Sequence, residues 1–309
     1  MADQKCLEEY IRRIHRVQDY IEGHLDCPMS VEELSNVAGF SKYHFSRIFQ
    51  GMLQESLAHY VNRVRMEGAV FMLAHRADKN MTDIAYALGF TDSAVFSRTF
   101  KNFYGVSPSK YRKEYRKNCK EVFLLSSYNK DTAEKKRKTD LFPVAGQIMI
   151  EHMEEKQAVY VRHTGTYETL AEEYAGLIRT LFVMAQKQHF YVDEKYRPFA
   201  IYHDNPEFGE KSQFRTSLCL PVPKNASVKE DGILGKMKLE SGPYAVGYFR
   251  IRQEQYADAW NYMYREWLTG SGYVPGNSAP FEVYCNNPHT DVNHIHEVKI
   301  CVPIEPIRF

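Results

Sequence analysis

The groups in this sequence whose type and spacing suit chemistry are one carboxylate, a set of aromatic side chains and two arginines. The segment Pro280-Phe281-Glu282-Val283-Tyr284 alternates with a period of two, so Glu282 and Tyr284 share one face of a strand that is otherwise apolar. A buried carboxylate needs a partner or a raised pKa. Aromatic residues recur at helical spacing nearby: Tyr167 and Tyr174 on one stretch, Tyr256, Trp260, Tyr264 and Trp267 on another. Walls of this kind around a single anion favour flat cationic or polar ligands through stacking and cation–π attraction. Bulky helical stripes also build cores, so only some of these rings are expected to touch a ligand. His289, His294 and His296 with Cys285 follow no metal-ligand spacing, and Pro288 marks a loop, so neither a metal nor any other cofactor is expected.

The two arginines belong to an internal repeat. Leu34 to Phe49 (LSNVAGFSKYHFSRIF) lies over Ile84 to Phe100 (IAYALGFTDSAVFSRTF), with one extra residue in the second copy, and Tyr60 then lies over Tyr111. Each copy carries Ala and then Gly-Phe-Ser/Thr between two short helical stretches, and glycine tolerates the positive φ of a tight inter-helix turn. That is the outline of a helix-turn-helix. The second helix of each copy is expected to begin at Ser41 or Thr91, caps that aim free backbone amides outward, where they suit a phosphate. Its exposed face carries Lys42, Tyr43, Ser46, Arg47 and Gln50 in the first copy, and Ser93, Ala94, Ser97, Arg98 and Lys101 in the second. Phe45, Ile48, Phe49, Phe96 and Phe100 hold the opposite face against a core. Arg47 and Arg98 can each make a bidentate contact to guanine O6 and N7, a pairing that contributes roughly 1–3 kcal/mol of discrimination, and are the expected base readers in double-stranded DNA. Lys110 and Arg112, with Arg63, Arg65, Lys113, Arg116 and Lys117, are expected to contact phosphates.

These groups need two scaffolds, and 309 residues exceed the usual size of one core. From about residue 5 to residue 115 the pattern is helical throughout, with Leu7, Ile11, Ile14, Val17, Tyr20 and Ile21 at three- and four-residue steps. Helix starts are signalled by the capping box Ser30-Val31-Glu32-Glu33 and by Ser107-Pro108. From about 116 to 140 the composition shifts to Lys, Asn, Ser, Thr and Glu, ending in Glu134-Lys135-Lys136-Arg137-Lys138, which reads as a solvated linker. After Leu141 period-2 stretches (Ala158 to Val161, Phe199 to Tyr202, Leu218 to Val222, Ala245 to Phe249, Val298 to Val302) alternate with helical ones near 168–189 and 254–268. The expected organisation is an all-α tandem helix-turn-helix domain over 1–115, a linker over 116–141 and an α+β domain over 142–309. The absence of an apolar run near 18 residues and the charged segment Met1 to Glu9 point to a cytoplasmic protein with no membrane partner. Six scattered cysteines with no C-x-x-C pair read as reduced packing thiols, and a net charge of +1 gives no global signal for nucleic acid.

The second domain repeats as well. Pro198 to Pro206 (PFAIYHDNP) aligns without a gap to Pro280 to Pro288 (PFEVYCNNP), and Cys219-Leu220-Pro221-Val222 matches Cys301-Val302-Pro303-Ile304 at the same offset. Each copy is expected to run strand, helix, strand, strand. Such pseudo-twofold modules commonly enclose a site between them, and the difference between copies is the clue: Glu282 stands where the first copy has Ala200.

Gly39-Phe40-Ser41 with Phe45-Ser46-Arg47-Ile48-Phe49, then Ile84-Ala85-Leu88-Gly89-Phe90, Phe96 to Lys101 and Gly105 to Arg112, closely resemble the AraC/XylS family DNA-binding domain over about a hundred residues. The resemblance implies seven helices in two helix-turn-helix subdomains joined by a long helix near 57–76, with recognition helices in successive major grooves about 34 Å apart. Ala94-Val95 departs from the pattern where polar side chains would bond bases, so the second helix is expected to read less sequence. Val161 to Tyr167, Tyr262 to Leu268, Pro280 to Pro288 and Ile300 to Pro303 look like the GyrI-like effector-binding domain over about 142–305. In that family a glutamate on the strand corresponding to Glu282 lies in the ligand pocket of multidrug-sensing regulators. Arg252 and Gln253 replace the usual glycine before the second helix, which puts the pocket's shape there in question. The implied protein is a transcription regulator, not an enzyme, with DNA, a small-molecule effector and RNA polymerase as partners. The alternatives are a hydrolase using the pocket carboxylate as general base, or a module that binds a protein partner.

Overall fold

The structure is a computed structural model that describes residues 2–115, 147–188, 197–204, 214–223, 226–229, 232–276, 278–288 and 291–307. The expected linker over 116–141, with Arg116, Lys117 and Lys135 to Lys138, lies outside the described residues, as does His289.

The N-terminal part is helical: α1 (Ala2–Gly23), α2 (Val31–Ala38), α3 (Lys42–Leu53), α4 (Leu57–His75), α5 (Met81–Ala87), α6 (Ser93–Tyr104) and α7 (108–115). The expected capping box opens α2, with the Ser30 hydroxyl accepting from the Glu33 amide at 3.1 Å and the Glu33 carboxylate accepting from the Ser30 amide at 3.5 Å. Gly39 and Gly89 turn the chain between paired helices at φ of 65° and 72°. A Cβ on Gly89 would also stand 2.5 Å from the Leu25 carbonyl oxygen, so close approach reinforces the choice of glycine. One expectation shifts by a residue: Asp92, not Thr91, caps α6, its carboxylate accepting from the Ala94 amide at 2.7 Å. The extra residue of the second copy falls at this turn and places the acid at the cap.

Two apolar cores result. Ile14, Val17, Ile21, Leu34, Phe45, Phe49, Tyr60 and Val64 close the first subdomain. Met66, Ala69, Val70, Leu73, Ile84, Phe96 and Phe100 close the second. Helix α4 contributes its N-terminal half to one core and its C-terminal half to the other, so it ties the two together.

The C-terminal part is an antiparallel sheet of β1 (Gln147–Met153), β2 (Lys156–Thr164), β3 (Phe199–Tyr202), β4 (Arg215–Val222), β5 (Gly235–Leu239), β6 (Gly242–Ile251), β7 (Tyr273–Pro275), β8 (Phe281–Tyr284) and β9 (His296–Pro306). The order is β1-β6-β9-β8-β3-β4-β2-β5, with β7 paired to β9. Alternation sorts the side chains. Val159, Val161, Ala200, Leu218 and Leu220 face α8 (Tyr167–Lys187), while Ala245, Phe249, Ile300 and Val302 face α9 (Tyr256–Asn261), which continues as a π-helical turn over Tyr262–Trp267. Tyr160, Phe199, Cys219, Val246 and Cys301 point to the other face.

That other face receives helix α1. Arg162 donates to Asp19 at 2.6 Å, the Tyr160 hydroxyl donates to Asp19 at 2.5 Å, and the His203 ring meets Glu22 at 2.7 Å. Arg215, 2% exposed, is held by Asp204 and Glu22 and donates to the Tyr60 hydroxyl at 2.6 Å. Burial alone would raise the Asp204 and Glu22 carboxyls, but the Arg215 guanidinium overrides it and holds both below the usual carboxylate range. At the far end of α4, Phe71 and His75 pack on Tyr264 in the π-helical turn that continues α9, and Arg76 donates to the Pro275 carbonyl at 3.3 Å.

Replacing Arg215 by alanine leaves Asp204 buried without a counter-charge, a change that typically destabilises by about 3–5 kcal/mol. Thermal unfolding should show the loss at neutral pH. Because both carboxyls have depressed folded values, their contribution disappears as pH falls through those values, so the variant and the parent should converge in acid. A gap that stays constant down to the acid limit would contradict this assignment.

Candidate functional site

Strands β8 and β3 are neighbours at the middle of the sheet, and their register places Glu282 directly opposite Ala200, with Phe199 opposite Val283 and Ile201 opposite Phe281. Ala200 and Glu282, the pair singled out among the differences between the repeats, therefore meet at one point. Only one of them carries a charge. Glu282 is 1% exposed and lies under α8 and α9.

Its hydrogen bonds come from uncharged groups. The Trp260 indole donates to Oε1 at 2.6 Å, and the Tyr202 and Tyr284 hydroxyls donate to Oε2 at 2.9 and 3.1 Å. Burial pushes the Glu282 carboxyl up to about 7, with Trp260, Tyr202 and Tyr284 pulling the other way. Burial, with Glu282 beside them, also raises both phenols, so they stay protonated as donors. The contrast with the other buried acids is informative: Asp204 and Glu22 share Arg215, and Glu67 has Arg63 at 3.0 Å.

Rings close the surroundings. Tyr174 meets Tyr284 edge-on at 5.6 Å, Tyr167 meets Tyr202 at 5.7 Å, and Tyr202 meets Trp260 at 6.1 Å. Tyr264 stacks on the outer side of Trp260 at 6.0 Å with an interplanar angle of 16°. Tyr256 directs its hydroxyl to His296 at 3.0 Å instead of to the carboxylate. Of the residues singled out in the sequence, the structure brings Tyr284 and Trp260 onto Glu282, sets Tyr167 and Tyr174 one ring further out, and puts Tyr264 behind Trp260. Trp267 stacks on Tyr273 at 6.5 Å, away from this group. Tyr202 was missed, although the repeat pointed to it: it is the counterpart of Tyr284, and adjacent central strands bring both to one carboxylate.

On the helical part, Lys42, Tyr43, Ser46, Arg47 and Gln50 are exposed on α3, with Tyr43 at 78%. On α6, Ala94, Arg98 and Lys101 are exposed and Ser93 and Ser97 half-buried. Ser41 caps α3 without a side-chain hydrogen bond, whereas Asp92 puts a carboxylate at the start of α6, where it opposes a phosphate. Lys110 is exposed beside Glu114. Arg112 turns inward and donates to the Lys79 carbonyl at 2.8 Å. Arg63 and Arg65 are structural too: Arg63 bridges Glu55 and Glu67, and Arg65 donates to the Cys27 carbonyl at 2.8 Å. Among the described residues no cluster of His, Cys, Asp and Glu could hold a metal ion, and no helix is long and apolar enough to cross a membrane.

Residues 146–305 match the family described as GyrI-like small molecule binding domain, and residues 34–114 match a helix-turn-helix domain family. The HTH-type transcriptional regulator SAS0078 of Staphylococcus aureus (strain MSSA476) is 39% identical over 100 residues, 32% of this chain and 13% of that protein. YbfP, an HTH-type transcriptional regulator of Bacillus subtilis (strain 168), is 37% identical over 103 residues, 33% of this chain and 35% of that protein. The chain thus spans well under half the length of these relatives. Among solved structures, the EcmrR–DNA complex in EcmrR-RPo is 17% identical with a TM-score of 0.45, over 71% of this chain and 79% of that one. The DNA-binding domain of AdpA in complex with a target DNA is 25% identical with a TM-score of 0.33, over 34% of this chain and 94% of that one.

The raised Glu282 carboxyl has a measurable consequence in the ligand-free protein. Between about pH 4.5 and 7 the folded chain keeps a proton that the unfolded chain has released, so stability contributed by this group falls as pH rises through that window. Glu282→Gln should remove that slope, on the order of 3 kcal/mol, making the variant the more stable form at pH 8. Parallel denaturant titrations of the two proteins at pH 5 and pH 8 check it, and equal slopes would refute the assignment.

Proposed function

We propose, from the premise that the chain belongs to the family of GyrI-like small molecule binding domains and carries an AraC-type helix-turn-helix domain ahead of it, that the protein is a DNA-binding transcription regulator whose C-terminal domain senses an aromatic cation at Glu282. The observation that carries this reading is a fully buried carboxylate with three neutral donors and, among the described residues, no cationic side chain on it, inside a set of aromatic rings. Such a group is left short of one positive charge. A ligand cation supplies that charge and gains cation–π contact with the rings in a site of low dielectric. Tyr202, Tyr284 and Trp260 are the contacts we assign to it, with Tyr167 and Tyr174 as the outer wall. Entry requires the Trp260 and Tyr202 rings to give way, so binding is coupled to rearrangement of the site. The two strand-helix-strand-strand modules expected from the repeat fit this reading. Their counterparts in order, β6-β9-β8 and β3-β4-β2, mirror one another about the Ala200–Glu282 pair.

For DNA, we assign base contacts to Arg47 and Arg98, and positioning to Lys42, Tyr43, Ser46, Gln50, Lys101 and Lys110. Exposure of every polar member of the α3 face supports the first reader. The apolar pair Ala94-Val95 and the Asp92 cap argue that α6 contributes less. RNA polymerase is the partner through which a regulator of this organisation would act. The helix-turn-helix family match and the HTH-type transcriptional regulators among the relatives favour a regulator over the hydrolase alternative.

Two measurements test the reading. Tetraphenylphosphonium should quench Trp260 saturably in a Trp267→Phe background and bind at least tenfold more weakly to Glu282→Gln; quenching of equal affinity in both proteins would contradict the site. On an operator selected from random duplexes, Arg47→Ala should lose about 1–3 kcal/mol of discrimination at one base pair, and Arg98→Ala less. An unchanged base preference in Arg47→Ala would remove it from base readout.

A further inference from the structure

Helix α4 presents Tyr60, Arg63, Glu67, Phe71 and His75 at three- and four-residue steps, one stripe along one side. That stripe lies along the C-terminal domain. Its first member meets Arg215 at 2.6 Å, and its last two meet Tyr264 with ring centroids at 6.3 Å for Phe71 and 5.1 Å for His75. Burial, with Arg265 nearby, lowers the His75 ring to about 4, so it packs as a neutral ring. The same helix joins the two helix-turn-helix cores: Tyr60 and Val64 belong to the first, and Met66, Ala69, Val70 and Leu73 pack with Phe96 and Phe100 of the second reader.

The Tyr264 end of this contact is connected to the buried carboxylate by a single intervening side chain. Tyr264 stacks on Trp260, and Trp260 donates to Glu282 at 2.6 Å. Tyr264 also sits in the π-helical turn Tyr262–Trp267, a wide turn that packs less regularly than the α-helix around it and recurs at functional sites. The Arg215 end has no such connection, since Asp204, Glu22 and Tyr60 fasten it on the opposite face of the sheet.

We propose that the contact of Tyr264 with Phe71 and His75 is a latch that the effector opens: a molecule that takes the Glu282 carboxylate from the Trp260 indole displaces that ring and the Tyr264 ring stacked on it, freeing the Phe71 and His75 side of α4 and, with it, the Arg76 contacts to Pro275 and Glu305 just beyond and the second reader, while the Arg215 contact keeps the first half docked. This rests on the reading of Glu282 as the effector's counter-charge. It gives the two ends of α4 different roles, one a fixed attachment and one a ligand-dependent one, and by linkage any DNA that prefers one arrangement of the two readers alters effector affinity by the same factor.

Amide hydrogen exchange of the full chain, with and without tetraphenylphosphonium, tests it. The probe is expected to speed exchange at least tenfold over Phe71–Arg76 and to leave the first turns of α4 around Tyr60 unchanged. Tyr264→Ala should reproduce the faster exchange without probe and abolish the probe's further effect, and His75→Ala checks the same contact from the other side. If the probe binds in a Glu282-dependent way but exchange over Phe71–Arg76 does not change, the latch is overturned and the binding site stands. If the probe does not bind at all, the binding reading fails, and Tyr264→Ala decides the contact alone: unchanged exchange over Phe71–Arg76 overturns the latch.

Discussion

A carboxylate buried where no side-chain cation among the described residues reaches it is the constraint on which the C-terminal half depends. In a medium of low dielectric an ionised acid is expensive, and the fold answers with three neutral donors and a raised proton affinity instead of an arginine. Everything that holds Glu282 follows from where the repeat places it. The central strands β3 and β8 pair about the Ala200–Glu282 position, so the counterparts Tyr202 and Tyr284 converge on one carboxylate from two strands, and Trp260 reaches down from α9. Symmetry supplies the frame, and a single replacement of alanine by glutamate breaks it.

Arginine is not scarce in this chain, and that gives the arrangement its meaning. On the opposite face of the same sheet Arg162 and Arg215 satisfy Asp19, Glu22 and Asp204, and there they attach the helix-turn-helix part to the GyrI-like domain. One face thus carries compensated charge and holds the two parts together; on the other, Glu282 has only neutral hydrogen-bond donors among the described residues. Helix α4 touches the outcome of both, through Tyr60 at one end and through Phe71 and His75 at the other.

Much of this was legible in the sequence. The capping box at Ser30, the positive-φ glycines Gly39 and Gly89, the exposed polar face of α3 and the Glu282–Tyr284 alternation all follow from local rules, and the structure has them where the spacing puts them. Tyr202 was recoverable from the repeat, as the counterpart of Tyr284, but its approach to Glu282 depends on β3 and β8 being neighbours, which no local pattern encodes. The attachment of α1 was not legible: Asp19, Glu22, Arg162 and Arg215 each look like solvated charges until residues far apart in the chain are brought together, as Tyr160 with Asp19 (141 apart) and Arg215 with Glu22 (193 apart) are. Arg65 and Arg112 likewise read as phosphate contacts, whereas they donate to the Cys27 and Lys79 carbonyls, 38 and 33 positions away; the Arg63 partner Glu67 lies only four residues on along the same helix.

The most direct test of the uncompensated charge is proton release on binding. Titrating tetraphenylphosphonium calorimetrically into the full chain, in buffers of different ionisation enthalpy, should show nearly one proton released per ligand at pH 6, falling toward zero by about pH 8.5, because the cation drives ionisation of a carboxyl whose free value is about 7. Binding at pH 6 with no proton released, or with the same release in Glu282→Gln, would contradict the account.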